Sequence, residues 1–273
     1  MTLRLELVSR TPIPLEVEGI LPESVRGKSV GDIEKLTIFH GNRQVPLAEF
    51  FRVTGTCDDA CMQWEGDLSG VHWLGAGMTC GILRIEGPAG RHVGSRMRGG
   101  RIDVTGDVSD WLGGEMLGGE IHVRGGAGHL VGSAYRGSAR GMTGGTILVH
   151  GDVGTEIGHG MRRGLIAVAG SAGDLVGFSM LAGSIFVFGN SGIRHGASMK
   201  RGTIGLFGPE PLTLLPSFRR ACQGRFEFLR LVDRTLQRHG FPAPLALGDT
   251  TVVLHSGDLL EGGRGELLVR AHL

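Results

Sequence analysis

The strongest constraint on this chain is a glycine-punctuated repeat that runs from about Met62 to Gly208. Met78, Met97 and Met116 stand nineteen residues apart, and after one interruption Met161, Met180 and Met199 keep that spacing, with Met142 ahead of them. Three residues after each methionine comes a glycine: Gly81, Gly100, Gly119, Gly145, Gly164, Gly183 and Gly202. A second series, Gly87, Gly106, Gly125, Gly151, Gly170, Gly189 and Gly208, closes the short apolar run that follows. A fixed short period of this kind belongs to solenoids, in which one unit cannot bury its apolar face alone and must stack on the next.

Between the two glycines apolar and polar residues alternate, as in Arg101-Ile102-Asp103-Val104-Thr105-Gly106, which is the period of a strand. Four places before the closing glycine stand Leu83, Ile102, Ile121, Ile147, Ile166, Ile185 and Ile204; two places before it stand Ile85, Val104, Val123, Val149, Val168, Val187 and Leu206. One strand per unit therefore turns an aliphatic ladder inward. Nineteen residues are too few for a four-stranded propeller blade, and the unit carries neither a helical period nor a leucine-rich-repeat pattern. The expected fold is all-β: a right-handed single-stranded parallel β-helix of about seven to eight coils, on the order of 35 Å long at ~4.8 Å per coil. Corner glycines are expected to supply positive φ, and stacked methionines to fill the irregular corner of the core.

The period also explains a composition that would otherwise suggest low complexity, with 50 glycines in 273 residues and only 5% aromatics. A net charge of +1 gives no case for a nucleic acid or an anionic membrane as partner. Cys57, Cys61, Cys80 and Cys222 form no disulfide framework, and Cys57 and Cys61 are expected to be buried thiols. With no signal peptide and no apolar span of membrane length, the expected location is cytoplasmic.

The flanks lack the repeat. Residues 1–61 are expected to form an N-terminal capping segment, since an open parallel stack leaves an unpaired edge at each end. Leu3 to Leu7 and Leu15 to Val17 alternate as strands, Gly31 to Leu36 fits a strand or short helix, and Pro46 to Phe51 a helical turn. Residues 62–208 form the repeat itself, and residues 209–273 a C-terminal helix and extension. From about Pro216 to His239, Phe218, Cys222, Phe226, Leu229, Val232 and Leu236 recur at helical spacing. Beyond Gly240 the runs Thr251 to Leu254 and Leu267 to Val269 suggest a hairpin, or a strand added to a neighbour's sheet edge.

The outward positions say what the stack is for. Three places before the closing glycine the units carry Arg84, Asp103 and His122, then Leu148, Ala167 and Phe186; one place before it, Phe188 and Phe207 follow Glu86, Thr105 and Arg124. A face that turns from polar to apolar needs a cover, which the C-terminal helix is expected to provide by packing on it. The one break in the period falls at Tyr135, in the place expected for a methionine, followed by Arg136 to Met142; an insertion at a corner becomes a protruding loop. Arg98, Arg162 and Lys200 directly follow methionines, Arg163 and Arg201 come next after two of these, and with Arg136 and Arg140 they are expected to form a basic edge suited to carboxylates. No catalytic constellation is found and no metal-ligand motif; Asp103, Asp107, Asp110 and Glu115 cluster in one unit without a cleft continued by its neighbours.

The nineteen-residue units, with elements such as Val93-Gly94-Ser95-Arg96-Met97-Arg98-Gly99-Gly100, resemble the glycine-rich β-helix at the C-terminus of the large subunit of glutamate synthase. The chain is similar over more of its length, from the cap through the C-terminal helix, to the C-type subunit of formylmethanofuran dehydrogenase. The bacterial relative of that subunit belongs to the formyltransferase/hydrolase complex of one-carbon metabolism (formaldehyde oxidation in methylotrophy), which carries formyl-tetrahydromethanopterin to formate through a methanofuran-like carrier. The resemblance implies a non-catalytic scaffold in a hetero-oligomer. Zinc-dependent hydrolysis would lie in the A-type subunit, formyl transfer in the D-type subunit, and any molybdenum or tungsten site in the B-type subunit of the archaeal dehydrogenase form. No cofactor is expected on this chain alone. Because the carrier has an acidic glutamyl tail, Arg98, Arg136, Arg140 and Arg162 are its expected contacts, or those of an acidic neighbour.

Overall fold

The computed structural model describes residues 2–271. The chain is mostly β, dominated by one 13-stranded sheet whose centre is a parallel stack of eight strands in strict chain order. These rungs are Cys61–Glu65, Ile82–Glu86, Arg101–Val104, Glu120–Val123, Thr146–Val149, Leu165–Val168, Ser184–Val187 and Gly202–Leu206. Register follows the repeat: Ile102 faces Ile121, Ile121 faces Ile147, and Ile147 faces Ile166. A one-residue slip would throw the ladder onto the solvent face, so the pattern locks the pairing. A second line of parallel bridges joins Leu68, Ala89, Val108, Ala127, Val153, Ala172 and Ser191 in turn. Further lines of backbone hydrogen bonds run through the corners, such as Arg98 N to Met78 O and Leu117 N to Met97 O.

Side chains of the inner ladder are buried, and so is every methionine from Met78 to Met199 in the series. Full burial contributes about 1.5–3 kcal/mol for each such side chain. The glycine series serve two different needs. Gly100, at φ +82, lies in the left-handed region as expected. Gly106, in the closing series, does not; there a Cβ would come 2.6 Å from the Gly87 carbonyl carbon, so close backbone stacking excludes a side chain. The corner also takes non-glycine residues at positive φ, with Trp73, His92, Trp111 and Leu130 at φ 65 to 66 on successive units.

Both ends of the stack are continued by flanking chain. Leu3–Leu7 pairs parallel with the first rung and antiparallel with Phe51–Thr54. Trp64 and Phe51 meet edge to face beneath it at 5.0 Å. The ambiguous segment at Gly31 is the helix Val30–Glu34, capped by Ser29, and Leu47–Glu49 is a 3-10 turn. At the other end Gly265–Arg270 pairs parallel with the last rung and antiparallel with Val252–Gly257, so the expected hairpin caps its own chain. The C-terminal helix is shorter than its apolar spacing predicts, spanning Glu227–Arg238. Arg219–Gly224 is a strand pairing with Val252–Gly257, which leaves Cys222 exposed and puts Phe218 into the main core. An alternating run satisfied both patterns, and the free edge of Val252–Gly257 decided for the strand. Leu229 and Leu236 of the helix close a second core over Leu148, Ala167, Phe186, Phe188 and Phe207, so the apolar outer face is covered from within the chain. No helix among the described residues is long and apolar enough to cross a membrane.

Candidate functional site

The methionine corner positions a line of side chains along one edge. The amides after each methionine, including Arg98, Leu117, Thr143, Arg162, Leu181 and Lys200, donate to the methionine carbonyl of the preceding unit, so these residues stand above one another. The seven-residue insertion Tyr135 to Gly141 breaks out just before Met142, which is itself buried in the methionine stack. Met142, not Tyr135, therefore holds the methionine place. The insertion folds back over the earlier units.

Tyr135 anchors it. Its ring stacks on Trp111 at 4.6 Å, at one end of a column in which Trp73 stacks on His92 at 4.1 Å and His92 faces Trp111 at 6.2 Å. The phenol oxygen lies 2.7 Å from Ser95 Oγ and 2.9 Å from His92 Nδ1. Burial pushes the phenol pKa up and brings the His92 imidazole down to about 4. Arg96 lies over the tyrosine ring at 5.4 Å and donates to Glu115 at 3.0 Å. Burial would raise the Glu115 carboxyl, but hydrogen bonds from Ser138, Arg96 and the Tyr135 amide hold it below its ordinary value.

The loop so held forms one wall of a groove of about 540 Å³ lined by Arg96, Glu115, Arg140, Arg162 and Arg163. A second groove of similar size continues it, sharing Arg162 and Arg163 and adding Lys200, Arg201 and Arg264. Among the described residues, Arg140, Arg162, Arg163, Arg201 and Arg264 have no carboxylate within salt-bridge distance; Arg96 is paired with Glu115, and Lys200 lies 3.9 Å from Glu261. Unpaired guanidinium groups lining a continuous trough fit carboxylates or phosphates bidentately.

Comparison with known proteins then bears on this geometry. No family model matches the chain. Over 85 residues it is 41% identical to the C-type subunit of molybdenum-containing formylmethanofuran dehydrogenase 1 of Methanosarcina barkeri, a stretch covering 30% of this chain and 28% of that protein. Over 87 residues it is 40% identical to the C-type subunit of tungsten-containing formylmethanofuran dehydrogenase 2 of Methanothermobacter thermautotrophicus, covering 30% and 32%. The matched stretch is thus about a third or less of either curated relative. The crystal structure of the formyltransferase/hydrolase complex FhcABCD of Methylorubrum extorquens with methylofuran contains a chain matching at TM-score 0.90 and 32% identity, over 98% of this chain and 100% of that one. The chain belongs to the family of formylmethanofuran dehydrogenase C-type subunits.

Within this family's fold the four arginines singled out by sequence are not equivalent. Arg140 and Arg162 line the first groove together. Arg98 is on the same line as Arg162 but three units away, about 14 Å at strand spacing. Arg136 is exposed on the insertion and does not line the groove. Arg163, part of the expected basic edge, and Arg96, which precedes its methionine and so falls outside that series, complete the site. The column Trp73, His92, Trp111 was missed too, although its nineteen-residue spacing is visible in the sequence; its aromatics differ in type, which hid the series.

Proposed function

We propose that this chain is a non-catalytic scaffold, the C-type subunit of a formyltransferase/hydrolase complex that converts a formylated pterin carrier to formate through a methanofuran-like carrier. The observation carrying this is the end-to-end likeness, at 32% identity, to a chain of a complex solved with methylofuran. In this reading the nineteen-residue units wind as the coils of a right-handed parallel β-helix over residues 62–208, supported by the parallel rungs, the second line of bridges and the corner hydrogen bonds. Residues 1–61 and 209–273 act as its caps. Partners of hydrolase, formyltransferase and B-type kinds assemble on it.

The unpaired arginines give the trough its role. Arg140 and Arg162, with Arg163 beside them, hold the acidic tail of the carrier or an acidic segment of a partner, and Arg98 and Arg136 extend that positive edge.

The test is native co-purification with mass spectrometry and metal analysis, using wild type and Arg140→Glu/Arg162→Glu. The expected result is a wild-type assembly containing hydrolase and formyltransferase chains, with formate production. The double variant should lose assembly or carrier use. A wild type that purifies alone, or with amidotransferase and synthase domains, overturns the proposal; an unaffected double variant overturns the role of the trough.

A further inference from the structure

Glu120 and His122 are two residues apart on the fourth rung, so strand alternation turns both side chains to its outer face. The long helix Glu227–Arg238 ends beside them, and His239, its C-terminal capping residue, brings its ring to 5.7 Å from that of His122. His239 Nδ1 is 3.4 Å from Glu120 Oε2, and His122 Nε2 is 3.7 Å from the same oxygen. One ligand atom from each of the three residues lies within 4.8 Å of the others. The His122 side chain is only 2% exposed, and its Nε2 is fully buried with no hydrogen-bond partner. Buried ring nitrogens are normally satisfied, and this one points at the carboxylate and imidazole of its neighbours.

Two imidazoles and a carboxylate are a recurrent zinc donor set. Tetrahedral bonds of 2.0–2.2 Å hold ligand atoms about 3.4 Å apart, close to both measured separations. We propose that Glu120, His122 and His239 bind one zinc-class divalent cation, which clamps the end of the long helix to the fourth rung.

The surroundings permit a cation. Arg101 faces Glu120 from the adjacent rung, but its guanidinium is engaged by Asp103 through Nε and Nη2 at 2.7 to 2.9 Å, so its charge is offset. The helix presents its C-terminal end to the site, where the backbone dipole favours positive charge. A tetrahedral zinc held by three side chains takes a water as its fourth ligand. The clamp joins segments more than a hundred residues apart in sequence, so the metal binds only when the helix is docked and stabilises the docked state. This site is separate from the arginine trough and does not depend on its assigned role.

The experiment uses the full chain, alone or in its assembly, stripped with chelator and dialysed against zinc sulfate. Wild type should retain about one more zinc per chain than Glu120→Gln or His239→Ala, measured by mass-spectrometric metal analysis. For the full chain alone, cobalt should give the visible absorption of a tetrahedral site in wild type only, and zinc should raise the melting temperature of wild type but of neither variant. Both substituted residues are partly exposed, so the variants are expected to fold. Equal zinc content in wild type and variants overturns the proposal and leaves a hydrogen-bonded or water-bridged cluster in its place.

Discussion

Tyr135 gives the sharpest test of how the insertion, and with it Arg140, is held. Tyr135→Phe removes only the hydroxyl. Ser95 Oγ keeps a long contact to Trp111 O at 3.4 Å, while His92 Nδ1 loses its partner. One net hydrogen bond plus one poorly satisfied, half-buried nitrogen sums to about 1–2 kcal/mol, or a fall in melting temperature of about 2–6 °C for a chain of this size. Tyr135→Ala also removes the ring stacked on Trp111 and beneath Arg96. A fully buried aromatic costs ~3–5 kcal/mol on truncation; at half-burial a further ~2 kcal/mol is expected beyond the phenylalanine variant. Because the affected residues form a loop, the loss should show first as local opening. The assay is hydrogen exchange at the amides of Ser138 and Gly141, bonded to the carbonyls of Tyr135 and Gly160, with binding of a polyglutamate peptide measured in parallel. The alanine variant should exchange faster at both amides and bind the peptide more weakly although no charge has changed. Exchange and binding equal to wild type would refute the argument that this column positions the groove wall.

Gly106→Ala should cost about 3 kcal/mol or more, since the added methyl meets backbone that cannot yield, whereas Gly224→Ala, with open space around it, should be nearly neutral; urea midpoints separate the two. Phe186→Ala should cost about 3–5 kcal/mol and loosen the long helix, seen as faster exchange in Glu227–Arg238, because Phe186 is central to the core beneath it. Burial lowers the pKa of His195 and brings that of His92 to about 4. Below the ordinary imidazole pKa the unfolded chain takes up protons that these folded sites refuse. Stability should therefore be full above about pH 6.5 and decline as pH falls toward 4, and His195→Gln should flatten that slope in chemical denaturation at a series of pH values.

Much of the fold was legible because a nineteen-residue period admits few structures. Ile102, Ile121 and Ile147 could be placed in one ladder from their spacing alone, and the structure pairs them so. The cover over Phe186 and Phe207 was legible as well, since an apolar outer face on consecutive units must be hidden. What stayed illegible depends on where distant segments dock. Phe218 and Cys222 fitted a helical period but lie outside the helix, because the strand at Val252–Gly257 had a free edge to fill. His122 read as an outward polar residue and is buried, because the helix end covers it. Proximity of His239 to Glu120 follows from helix length and docking angle, neither of which a periodicity records. Arg96 joined Arg140 because the insertion folds toward the earlier units, a direction set by the Tyr135 stack.

These placements decide which surfaces remain for neighbours. The phenylalanine face is taken, as expected, by the chain's own helix, leaving Phe186, Phe188 and Phe207 at most 4% exposed. Among the described residues, the remaining surface includes two chemically distinct features. The outer side of the helix offers Phe228 and Leu231, at 39% and 62% exposure, beside the arginines of the same helix. The methionine corner offers the trough, whose unpaired guanidinium groups gain most from a carboxylate that arrives with its own desolvated surroundings. The two features are neighbours, since the hollow beside Leu231 shares Gly164 with the second groove, but an apolar patch and a cationic trough select chemically distinct partners. For that reason Leu231→Glu and Arg162→Glu should each release a different component in co-purification; release of the same component by both would mean that one continuous interface wraps the molecule.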